Sequence, residues 1–63
     1  MTLKDVWEQQ GLTPTEVAGQ AGISLPTLYR MNKKESVHRN NVEAVCRVLG
    51  ITRQRYNQLE ADR

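Results

Sequence analysis

One cysteine, Cys46, and one histidine, His38, stand in this sequence of 63 residues. A lone thiol excludes an internal disulfide and a thiolate zinc cluster. With a single imidazole beside it, the soft ligands are too few for a structural metal site. No apolar run approaches the roughly 20 residues of a membrane helix. The opening Met1-Thr2-Leu3-Lys4-Asp5 has no basic stretch followed by an apolar one, so no signal peptide is expected. Linkers, low-complexity runs, internal repeats and strand-like alternation are missing as well, which leaves one all-α domain over residues 1–63. A chain of this length lies near the lower limit at which one core folds alone, and a substrate pocket of roughly 300 Å³ would consume much of that core. The expectation is a small cytoplasmic binding domain, not an enzyme, with no cofactor, metal, small-molecule ligand or membrane contact.

The composition, 38% hydrophobic and 25% charged, is that of a compact domain and excludes a disordered tail. The net charge of +2 is modest, but its distribution is uneven. Residues 1–29 set Lys4 against Asp5, Glu8 and Glu16, giving −2. Residues 30–55 set Arg30, Lys33, Lys34, Arg39, Arg47, Arg53 and Arg55 against Glu35 and Glu43, giving +5. Residues 56–63 return −1 from Arg63, Glu60 and Asp62. A basic segment between acidic flanks suits a surface that faces a polyanion; a solvated helical face would carry the same charges.

Capping residues and glycines divide the chain into five short helices. The first is expected from about Thr2 to Gln10, with Thr2 as N-cap and Asp5 in the place of a capping-box glutamate. Its Leu3, Val6 and Trp7 share one face, and Gly11 is placed to end it in a left-handed conformation. Thr13-Pro14-Thr15-Glu16 opens the second helix with a capping hydroxyl, a proline at the first helical position and the reciprocal glutamate. Leu12 and Val17 supply the hydrophobic staple, and the helix should stop near Gln20 or Ala21, before Gly22. Ser24 caps the third, where Pro26 is tolerated in the first turn and Leu28 and Met31 face inward. The fourth buries Val42, Val45, Cys46 and Leu49 and stops at Gly50. The fifth follows Thr52 and turns Tyr56 and Leu59 inward.

Residues 14–33 carry the informative pattern. Two helices separated by Ala21-Gly22-Ile23-Ser24 make a tight corner. Ala18 is small enough for close helix contact, Gly22 suits the turn, and Val17, Ile23, Leu28 and Met31 supply a shared core. This is a helix-turn-helix pattern, which exposes the start of the third helix for entry into a DNA major groove. Four blocks occur in order: Gly11-Leu12-Thr13, Val17-Ala18-x-x-Ala21-Gly22-Ile23-Ser24, Thr27-Leu28-x-Arg30-Met31 and Val48-Leu49-Gly50-Ile51. Together they resemble the phage-repressor and Cro type (XRE-like) of helix-turn-helix DNA-binding protein. The likeness runs from Leu3 to Leu59 and implies a compact five-helix, lambda-repressor-like domain.

The resemblance implies roles position by position. The start of the second helix would meet a phosphate, through Thr13, Pro14 and Thr15. Bases would be read by Leu25, Pro26, Thr27, Tyr29 and Arg30. The DNA backbone would be held by Ser24 and, after the third helix, by Lys33, Lys34, His38, Arg39 and Asn40. There are three departures from the family. Leu25-Pro26 replaces a polar pair that often reads purine edges, which points to contact with thymine methyls there. Pro14 replaces a common glutamine. Trp7 and Asn32 stand where the family often has an arginine and a glutamate joined as an internal ion pair. Replacing both avoids an unpaired buried charge, and an indole-to-amide hydrogen bond would take the pair's place.

Single residues have simpler readings beside these. His38 suits a phosphate donor, the N-cap of the fourth helix or an ordinary surface histidine. Cys46 and Trp7 read as core, Tyr29 as a base reader or a surface tyrosine, and Lys33 and Lys34 as exposed. Ser24, His38 and Asp5 do not make a catalytic triad, since no oxyanion loop accompanies them. The function expected is sequence-specific binding of double-stranded DNA by a transcriptional regulator, a repressor that occupies a dyad-symmetric operator as a homodimer, formed in solution or only on DNA. Ile51, Tyr56 and Leu59 look surplus to so small a core and motivate that dimer. Two rivals use the same fold: a protein-interaction module such as an antitoxin or adaptor, and the DNA-binding piece of a recombination or replication protein.

Overall fold

A computed structural model describes residues 1–62. Five helices follow one another: α1 (Leu3–Gln9), α2 (Pro14–Ala21), α3 (Leu25–Asn32), α4 (Arg39–Leu49) and α5 (Arg53–Gln58). Each begins on a side chain that accepts a hydrogen bond from a first-turn backbone N–H: Thr2, Thr13, Ser24, His38 and Thr52 in turn. Thr2 with Asp5, and Thr13 with Glu16, form complete capping boxes. These local bonds matter because helices of six to eleven residues are too short to persist on propensity alone.

The helix ends are as well defined as the starts. Gly22 closes α2 at φ +71°, with its N–H bonded to the Gly19 carbonyl and that of Ile23 to the Ala18 carbonyl. That double bond satisfies carbonyls left over by the helix and turns the chain sharply toward α3. The end of α3 uses the same geometry without a glycine: Lys34 takes φ +61°, Lys34 N bonds Met31 O, and Glu35 N bonds Arg30 O. No sequence signal marks that turn, since lysine rarely adopts this conformation.

One core joins all five helices. Leu3, Trp7, Val17, Leu28, Met31 and Val45 are fully buried at its centre, and Val6, Ala18, Val42, Cys46, Leu49, Tyr56 and Leu59 complete it. The apolar inward positions on every helix match the expected ones, and α3 adds the buried Asn32. Tyr56 and Leu59 are consumed by this core and Ile51 is packed against it, so none of the three is surplus, contrary to expectation. The outer face of α5 is instead Arg53, Gln54, Arg55, Asn57 and Gln58, all exposed and polar.

The two ends of the described chain meet over Asn32. Its side chain is 4% exposed, its Oδ1 accepts from the Lys4 backbone N–H at 2.9 Å, and its Nδ2 donates to Asp62 Oδ2 at 2.7 Å. The Asp62 backbone N–H returns a bond to the Asn32 carbonyl at 2.9 Å. Nearby, Thr2 and Glu60 pair as a short parallel bridge. Trp7 is buried as expected, but the Asn32 amide serves α1's first turn and the C-terminal segment, not the indole. An early helical N–H has no partner within its own helix, and Asn32 supplies one.

Candidate nucleic-acid interface

The corner between α2 and α3 places the start of α3 on the surface. Leu28, Met31 and Asn32 face the core, which turns Leu25, Pro26, Tyr29 and Arg30 outward. Residues three and four apart are neighbours on a helix, so these four form one continuous outer face. Leu25 and Tyr29 are 37% and 45% exposed, two of the three large hydrophobic residues on the surface. Thr27 is half-buried, and its hydroxyl lies 2.8 Å from that of Ser24.

Cations lie on this face and in the segment that follows α3 in the chain. Arg30 lies on it, Lys33 is exposed one turn beyond, and Arg39 opens α4 with Asn40 beside it, both exposed. His38 accepts the Asn40 backbone N–H at Nδ1, 3.1 Å away. A neutral imidazole that accepts at one nitrogen carries its proton on the other, so Nε2 is a donor. Of the readings open for His38, the N-cap is the one formed, and the exposed ring retains Nε2 for a further acceptor.

Three residues assigned to phosphate by sequence are engaged inside the domain. Lys34 was expected to be exposed. Its ammonium instead donates to the Tyr56 carbonyl at 2.7 Å and sits 3.8 Å from the centre of the Tyr56 ring. The left-handed backbone at Lys34 turns its side chain back toward α5, and burial lowers the ammonium pKa from its ordinary value. The Thr13 hydroxyl accepts from the Glu16 N–H at 3.2 Å and reaches Glu16 Oε1 at 3.1 Å, which puts a carboxylate at the start of α2. The Ser24 hydroxyl is committed to Thr27 through both its N–H and its hydroxyl. Thr15, by contrast, is exposed on the first turn of α2.

Of the other basic residues among those described, Lys4 is on α1, Arg47 lies near the end of α4, and Arg53 and Arg55 are on α5. Arg53 pairs with Glu43 at 3.7 Å, both half exposed, an ion pair of little energetic consequence. Arg55 reaches the Met1 sulfur at 3.2 Å. The structural roles of Lys34 and Asn32 were missed by sequence reading. Asn32 did carry a signal, since it follows Leu28 at the helical spacing of an inward residue.

A family model described as the Cro/C1-type helix-turn-helix DNA-binding domain matches residues 2–54. No curated protein and no solved structure matches the chain. The matched span takes in α1 to α4 and the outward face of α3, and domains of this type are typically non-catalytic DNA binders. By the extent of that match and by its five-helix fold, the chain belongs to the Cro/C1-type helix-turn-helix DNA-binding family.

Proposed function

We propose that this protein is a sequence-specific, double-stranded-DNA-binding transcriptional regulator that acts as a repressor. The observation that carries the reading is the outer face of α3: Leu25, Pro26, Tyr29 and Arg30 stand together on a helix held out by the Gly22 turn, with Lys33 exposed just past its end. In this reading α3 enters the major groove, Arg30 reads a base edge, and Lys33, Arg39, Asn40, Thr15 and His38 Nε2 meet phosphates. Lys34, Thr13 and Ser24 shape the domain that presents them. Occupying an operator in this way blocks polymerase sterically.

Two copies meet only on DNA in this proposal, because the polar outer face of α5 offers little apolar area for a free dimer. The test is selection of bound sequences from random duplex DNA, followed by salt titration on the selected site. With two or three phosphate-binding cations per copy, log K should fall against log salt with a slope of about −2 to −3 per copy. A dyad in the selected site, with half-sites about 34 Å apart, would support pairing on DNA. Absence of duplex binding even at low salt would overturn the proposal in favour of a protein-interaction module.

A further inference from the structure

Base edges in the major groove are read by a small set of side chains: arginine or lysine for guanine, asparagine or glutamine for adenine, carboxylates for cytosine, and apolar groups for the thymine methyl. The described residues of α3 include one amide, Asn32, which is buried with both ends of its side chain bonded, and no carboxylate. The hydroxyls of Ser24 and Thr27 lie 2.8 Å apart and serve the N-cap. On the outward face that leaves one charged donor, Arg30, the Tyr29 phenol, and a largely carbon strip made by Leu25, Pro26 and the Tyr29 ring.

The strip has a defined length and setting. Leu25 and Tyr29 are four residues apart, about 6 Å along the helix axis at roughly 1.5 Å per residue. Successive bases of one strand are about 3.4 Å apart, so the strip spans nearly two steps. Arg30 follows immediately, and Lys33 is exposed one turn beyond it. An apolar strip bordered by cations complements a polyanion that carries apolar groups in its groove. On duplex DNA those groups are the methyls at C5 of pyrimidines.

We infer that Leu25, Pro26 and Tyr29 form a reader of pyrimidine C5-methyl groups, so that the half-site is a pair of adjacent thymines beside a guanine read by Arg30. This rests on the DNA-binding reading above and names the DNA it takes. Leu25 and Pro26 have no side-chain hydrogen-bonding group, so they do not distinguish thymine O4 from cytosine N4. The strip therefore accepts 5-methylcytosine in place of thymine and disfavours unmethylated cytosine.

The experiment uses the whole chain and the selected duplex with one base exchanged at a time. Replacing a contacted thymine by uracil removes only the methyl and should weaken binding about fourfold, the equivalent of one buried carbon. Replacing it by cytosine should weaken binding at least as much, and 5-methylcytosine should restore about fourfold of that. Leu25→Ala, checked for an unchanged melting temperature, should bind the thymine and uracil duplexes alike at the position it faces. Equal affinity of the wild type for thymine and uracil at every position, or a selected site without adjacent thymines beside guanine, overturns the methyl reader while leaving DNA binding standing. Equal affinities together with self-association that Tyr29→Ser abolishes assign the strip to a second copy of the chain and also overturn it. Failure to bind any duplex removes both readings.

Discussion

The Lys34 ammonium and the Tyr56 ring lie 3.8 Å apart, and the two residues tie the end of α3 to α5. Lys34 Nζ donates to the Tyr56 carbonyl in α5 at 2.7 Å, while the Tyr56 hydroxyl donates to the Met31 carbonyl in α3 at 3.4 Å. The Met31 and Tyr56 carbonyls also accept backbone N–H groups at the ends of α3 and α5, and a carbonyl oxygen has two lone pairs, so this exchange fastens α5 to the end of α3. On the proposed DNA-binding reading it also takes Lys34 out of the phosphate contacts.

Lys34→Met should therefore lower stability by about 1 kcal/mol through loss of the cation–π contact and the carbonyl bond, while leaving the salt dependence of DNA binding unchanged. Lys33→Ala should do the reverse, leaving the melting temperature in place and reducing the salt slope by about one counterion. Thermal melts and salt titrations of both variants decide it. A reduced salt slope for Lys34→Met with an unchanged melting temperature would return that lysine to the phosphate contacts.

A second expectation concerns the corner that presents α3. Thr13→Ala removes both the N-cap acceptor and the hydroxyl bond to Glu16, and should cost about 1 kcal/mol. A Cβ at Gly22 would meet nothing within 4 Å, so the cost of Gly22→Ala is that of the left-handed backbone alone, about 1 kcal/mol. Gly22→Val should cost more, because a β-branched side chain tolerates φ +71° poorly. Denaturant midpoints of the three variants give the order; equal values for alanine and valine would show that the turn relaxes.

The helices were legible in the sequence because their signals are local. Thr13-Pro14-Thr15-Glu16 contains its own cap, and Gly22 and Gly50 end their helices by a backbone preference of one residue. The outward position of Leu25, Pro26, Tyr29 and Arg30 followed from the inward spacing of Leu28 and Met31. Lys34 was illegible because its role depends on a left-handed turn with no glycine and on a ring 22 residues away in sequence. The clasp of Asn32 with Lys4 and Asp62 is non-local for the same reason, joining residues separated by 28 and 30 positions. Periodicity could bury Asn32; only the folded chain supplies its partners.

Asn32→Ala leaves the Lys4 N–H without its partner and frees Asp62, and should cost about 2 kcal/mol. Asn32→Asp keeps an acceptor for Lys4 but sets a second carboxylate against Asp62. Its penalty should exceed that of alanine at pH 7, because two like charges meet in a part-buried site. Melting temperatures of the two variants test it, and a penalty for Asn32→Asp no larger than that of alanine would show that the Asp62 contact carries no weight.

The core also sets the behaviour of the fold in alkali. Burial raises the Cys46 thiol above its ordinary value of 9.0 and the Tyr56 phenol above 10.0. In both cases the folded state keeps its proton to higher pH than the unfolded state does. The stability they contribute is fully present below the unfolded values and is lost as pH rises through the folded ones. Lys34 acts in the opposite sense, since its lowered folded value makes stability rise between that value and 10.5. The thiol has the lowest reference value of the three, so Cys46 should govern the first decline above about pH 9. Cys46→Ala should lower stability at pH 7, because it empties part of a buried site, yet flatten the melting temperature between pH 8.5 and about 10. An equally steep decline in the variant would assign the alkaline loss to Tyr56 instead.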